Sequence, residues 1–187
     1  LAARWHAGDA FPRWFPNFGP GVVAAFLGSP VSVTTDSIWF GSCLAGPLAR
    51  INLACDPANR WWRRATAVTH AAARAWGGKV MVAITDLGGN LDILASLRGT
   101  QQLLLDLADA PDEVARLAGQ VTRAWLQCYD ALADILAPAQ QGTASWAPFW
   151  APGRTAMLQC DISCMISPRL FARLVLPDLE ACCSMLD

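Results

Sequence analysis

Residues 158–177, LQCDISCMISPRLFARLVLP, set the tightest limit on how this chain can fold. The apolar stretch 156–160 reads as a buried strand, and it ends in an acid, Asp161. After a short loop, Ser167-Pro168 opens a helix, the serine suited to a cap and the proline to the first turn. A carboxylate at the C-terminal end of a strand, shortly before a helix, is where α/β barrels place their active sites.

The chain upstream alternates in the same way. Residues 10–28 are rich in Pro, Gly and aromatics, with a short helix expected over 20–27. The β-branched and aromatic run 32–40 is a strand or hairpin arm, and 41–59 is loop-like. Ala and Arg favour a helix over 57–76, stopped by Gly77-Gly78. KVMVAI, 79–84, is a continuous apolar run of the kind buried on both faces of a parallel sheet. A loop over 85–90 leads to a short helix over 91–97, and Thr100 is placed to cap another over 101–107.

Pro111 opens a long helix that runs to about Leu136, with Asp112 and Glu113 in the first turn, where the helix dipole favours them. Val114, Leu117, Val121, Trp125, Cys128 and Leu132 form its apolar stripe. Residues 141–146 read as a short strand and 146–153 as the loop after it. Strand and helix in alternation predict parallel βα units in a single domain over residues 1–187, an α/β chain of the TIM (β/α)8 type. The chain opens on Leu1 rather than Met and stops at Asp187 inside an apolar helical pattern, so the barrel is expected to be incomplete. An unfinished barrel leaves an open sheet edge, which favours association, a homodimer among the forms it can take.

Composition narrows the function classes. The net charge is −1 and no basic stripe exists to neutralise a phosphate backbone, which argues against nucleic acid as a partner. Although 54% of the residues are hydrophobic, no apolar run reaches the ~18 residues of a membrane span. Seven cysteines, an odd number without framework spacing, fit reduced thiols in the cytoplasm.

Three loops bring chemistry-bearing side chains to one expected rim. The first carries Asp86, Asn90 and Asp92; the second Ser145, Trp146 and Trp150; the third Gln159, Cys160, Asp161, Ser163 and Cys164. Asp86 and Asp161 are the catalytic candidates, as general acid or base. Each also has a plain structural role open to it, in turn amides for Asp86 and in a cap for Asp161. Asn90, Asp92, Gln159, Trp146 and Trp150 are substrate-binding candidates; Asn90 and Asp92 are equally placed to cap the helix at Leu91. Cys160 and Cys164, four apart, are the only metal-ligand candidates, and they come without a C-x-x-C or a paired His.

The motif at 161–177 resembles the uroporphyrinogen decarboxylase superfamily. Its members carry an acid, a serine, then [Ile/Leu]-Ser-Pro-x-x-Phe and a later Pro, matched here by Asp161, Ser163, Ile166, Ser167, Pro168, Phe171 and Pro177. The serine stands one place later than in the decarboxylases. KVMVAITDLGGNLDILASLRG and APDEVARL occupy the order and spacing of that family's middle strand, loop and following helix. FPNFGPG, SWAPFWAPGR and QCDISCMISP look like signature segments of a separate branch.

The resemblance implies a cleft at the C-terminal ends of the barrel strands and a small organic substrate. Three activities are compatible with it: thiol methyl transfer of the corrinoid type, uroporphyrinogen III decarboxylation in porphyrin biosynthesis, and ligand binding without catalysis. The arginine-rich segment of the decarboxylases has no counterpart here. Asn17, a substrate-binding candidate, stands where they hold an essential aspartate, and Tyr129, the only tyrosine, lies in a helical stretch. These departures favour methyl transfer. That branch uses a corrinoid protein as partner and zinc as cofactor, held by His and Cys ligands whose matching positions fall after Asp187.

Overall fold

The structure is a computed structural model in which residues 5–186 are described. It is a mixed α/β chain in which helices carry most of the order. In sequence come β1 (Arg13–Trp14), α1 (Val23–Phe26), β2 (Val31–Val33), β3 (Ile38–Phe40), α2 (Arg60–Trp76) and β4 (Met81–Val82). They are followed by α3 (Asn90–Arg98), α4 (Thr100–Asp109), α5 (Pro111–Leu136), β5 (Thr143–Ala144), β6 (Trp150–Ala151), α6 (Pro168–Leu174) and α7 (Leu176–Cys183). Single 3-10 turns lie at Leu48–Arg50 and Asp161–Met165.

α5 is the centre of the molecule. Pro111 occupies its first turn and the expected stripe is buried, from Val114 and Leu117 to Cys128 and Leu132. α2 and α3 pack along it, α2 through Ala65, Thr69, Ala72 and Ala73, small residues that let two helix backbones approach. Asn59 secures two helix ends at once. Its Oδ1 accepts from the amides of Trp61 and Trp62 at the start of α2, while its Nδ2 donates to the carbonyls of Ala25 and Phe26 at the end of α1. This cap starts α2 at Arg60, three residues later than the composition suggests. Arg98 and Asp106 form a buried ion pair at 2.6 Å, and Arg98 also holds the carbonyls of Leu44 and Gly46.

β1 and β4 are parallel, with Arg13 opposite Met81 and Trp14 opposite Val82. Beyond β4, the Ile84 amide donates to the Ala144 carbonyl at 2.8 Å, which sets β5 on the other side. The Gln140 side chain bonds both the amide and the carbonyl of Val82, standing in for a strand neighbour. Three short strands therefore lie side by side. The run at 32–40 is a hairpin, β2 against β3, closed by mutual bonds between Thr34 and Ser37.

Three expectations differ. The loop at 146–153 turns back on itself, and β6 pairs antiparallel with β5. β6 takes one edge of β5, the Ile84 amide donates to the Ala144 carbonyl of β5, and residues 156–160 pair with no strand among the described residues. The described residues form no closed barrel. Thr100 lies inside α4 rather than at its cap, which is Gly99. No helix among the described residues is long and apolar enough to cross a membrane.

Candidate functional site

β4 and β5 run out at the same end of the molecule, and the residues just past them meet. Thr85 and Asp86 follow β4; Ser145 and Trp146 follow β5. Together with Tyr129 of α5 and Thr155 they line a cavity of about 20 Å3, little more than one water can fill. Its floor is rigid. Trp125 and Tyr129 stack one turn apart on α5, 5.4 Å between ring centres and 6° from parallel. Trp125 Nε1 donates to the Gly88 carbonyl, and the Tyr129 hydroxyl donates to the Thr155 carbonyl at 2.9 Å.

Two hydroxyls in this cavity are unspent. Thr85 is 4% exposed and Ser145 6%, and neither side-chain oxygen has a partner among the described residues. A buried polar atom without a partner costs about 1–3 kcal/mol, so such atoms are normally satisfied. Asp86, half-buried, lines the same cavity. Burial raises its carboxyl above the ordinary range, the amides of Gly88 and Gly21 pull it back, and the charge of Asp161 adds to the rise. Asp86 Oδ1 accepts from the Gly88 amide at 2.9 Å, and its main-chain carbonyl accepts from Val22.

That loop can exist only with glycine at position 88. Gly88 has φ +87°, and a Cβ there would sit 2.4 Å from Gly21 Cα. The close approach seats the FPNFGPG segment on the loop that carries Asp86. Arg13, which the sequence reading did not single out, braces the other wall. Its guanidinium donates to the carbonyls of Ser145, Trp146 and Ala147. Trp14, the next residue, packs instead on Trp76 of α2, as strand alternation requires. An arginine flanked by aromatics and prolines gives no periodic signal, and only the pairing of β1 with β4 turns it toward β5.

Of the residues expected at one rim, Asp86, Ser145 and Trp146 share the cavity. Asp92 and Asp161 line an adjoining groove of about 380 Å3. Asp92 does not cap its own helix. Its two oxygens accept from the amides of Asp161 and Ile162, at 2.8 and 2.9 Å, and so hold the turn that presents Asp161 to solvent. Asn90 is buried among helices, donating to Thr122 Oγ1 and toward Cys182 Sγ. The Gln159 main-chain carbonyl lies against Gly89, 2.3 Å from where a Cβ would stand.

Asn17 is exposed and turns its Oδ1 to the Gly19 amide, beside the β2–β3 hairpin. Trp150 lies at the opposite end, with Lys79 and Met81, because β6 runs back along β5. Its ring nitrogen donates to the Gln141 carbonyl.

Zinc does not fit the described residues. No three His, Cys, Asp or Glu side chains converge among them. Cys164 is exposed, and burial, with the nearby Asp92 charge, pushes the Cys160 thiol up to about 11, away from the thiolate a metal requires. All seven cysteines are free thiols. Compared with protein-family models, with curated proteins and with solved structures, the chain matches none.

Proposed function

We propose that this chain belongs to an enzyme of the uroporphyrinogen decarboxylase superfamily, built as part of a (β/α)8 barrel and acting on a small organic substrate where β4 and β5 end. One observation carries the reading. Asp86 lines one cavity with the buried hydroxyls of Thr85 and Ser145, and those hydroxyls have no partner among the described residues. The cavity has room for about one water, so a single substrate oxygen or nitrogen reaching into it would satisfy them. The parallel pair β1–β4, the hydrogen bond that sets β5 beside the end of β4, helices α2 and α5 later in the chain than β1 and β4, and polar groups past the strand ends support the barrel reading.

What these residues supply is proton transfer. A carboxyl whose neutral form is favoured by burial can donate a proton to carbon as carbon dioxide leaves, or take one from a thiol that accepts a methyl group. Decarboxylation of the porphyrinogen type and corrinoid-linked thiol methylation both need such a group, and in the second a corrinoid protein would be the partner. Seven free thiols and a balanced charge support a cytoplasmic setting.

The test is turnover by Asp86→Asn in the full chain, with uroporphyrinogen in one assay and methylcobalamin plus a thiol in another. The expected result is wild-type turnover in one assay, falling about 10²–10⁴-fold in the variant while substrate still binds. Turnover by Asp86→Asn at the wild-type rate would overturn the role of Asp86. Binding without turnover in either assay would favour a non-catalytic barrel.

A further inference from the structure

Cys55 and Cys128 stand 73 residues apart in the chain, yet their Sγ atoms are 3.7 Å apart. Cys55 lies half-buried in the irregular connector ahead of α2, within reach of a small solute. Cys128 is on the buried stripe of α5, 2% exposed. The connector is tied to α5 just upstream of this pair. The Leu53 amide donates to Gln120 Oε1 at 2.7 Å, Gln120 Nε2 to Asn52 Oδ1 at 2.8 Å, and Arg116 to the carbonyls of Leu48 and Ile51. These bonds hold one sulfur over the other. A disulfide needs about 2.05 Å, so the sulfurs must close by about 1.7 Å.

We propose that Cys55 and Cys128 form a thiol-oxidation site that takes hydrogen peroxide and closes to an intramolecular disulfide. Cys55 is the attacking thiol and Cys128 the resolving one. The Cys55 sulfur attacks one peroxide oxygen, the O–O bond breaks, and a sulfenic acid and one water result. The Cys128 sulfur then attacks the Cys55 sulfur, the S–O bond breaks, and a second water leaves. The two thiols give up two electrons and two protons, and the peroxide is reduced to two waters. The order of attack follows from the surroundings. The bond from Cys128 lowers the Cys55 thiol, while that same bond and burial raise Cys128. Exposure agrees, since only Cys55 can be reached.

The site is independent of the chemistry at Asp86, and its test needs no substrate. The reduced full chain is treated with hydrogen peroxide under native conditions, the remaining thiols are alkylated, and non-reducing peptide mapping follows. Two of the seven thiols should be lost, in one cross-linked peptide pair joining positions 55 and 128, and dithiothreitol should restore both. The closed form should melt about 5 °C higher. Oxidation that falls on the exposed Cys43, Cys164 and Cys183, with Cys55 and Cys128 unlinked, would overturn the proposal. In Cys55→Ser, Cys128 should stay a free thiol; its oxidation there at the wild-type rate would overturn the order of attack.

Discussion

α5 and the rim at 155–165 lie against each other and are held by opposite means. α5 satisfies its backbone internally over 26 residues and buries a continuous stripe. The rim has almost no backbone pairing of its own. It depends on side chains sent from elsewhere: Asp92 to the amides of Asp161 and Ile162, and Tyr129 to the Thr155 carbonyl. A helix of that kind opens only when the whole molecule does, whereas a rim held by a few long-range bonds opens locally. The chemistry-bearing groups sit where the second kind meets the first.

The largest effect should come from the helix. Leu132 is fully buried, so Leu132→Ala should cost about 3 kcal/mol, measured by urea unfolding, with amide exchange accelerating throughout the protein. Asp92→Ala should cost less, about 1–2 kcal/mol, and its effect should be local. Exchange should quicken at residues 161–165 while α5 keeps its protection. The Cys160 thiol should titrate below its present value of about 11, because the nearby negative charge is gone; pH-dependent alkylation reads this directly. If Asp92→Ala unfolded the chain as deeply as Leu132→Ala, the contrast between the two regions would fail.

The smallest effect sharpens the contrast further. Burial lifts Asp86 above its ordinary value, so between those two values the folded chain holds a proton that the unfolded chain has released. Its contribution is therefore fully present below the ordinary carboxyl range and is lost as pH rises through the raised value. Asp86→Asn cannot ionise and keeps an acceptor for the Gly88 amide. Its stability relative to wild type should improve as pH rises from the ordinary carboxyl range through the raised value, read as the difference in urea midpoints. A difference that stays flat with pH would mean that the Asp86 carboxyl is not shifted.

Sequence alone determined the elements whose signals are local. Pro111 with its acidic first turn, and apolar residues at helical spacing, define the start and extent of α5, because a helix closes its own hydrogen bonds and its pattern needs no partner. Ser167 caps α6 as its position before Pro168 implies, accepting from the Leu170 amide. Asp86 and Trp146 were legible as groups that follow strands, although nothing local showed that they share a cavity. What tertiary structure decided was pairing. Residues 156–160 have the composition of a strand, but β6 folds back onto the β5 edge they would need, and the same reversal carries Trp150 to the far end from Trp146. Arg13 acquires its place from β1 lying beside β4, and Asp92 and Asn90, candidates for substrate binding or for a helix cap, become a rim brace and a core contact. Strand partners and long-range hydrogen bonds join residues tens of positions apart, so no window along the chain contains both members of such a pair.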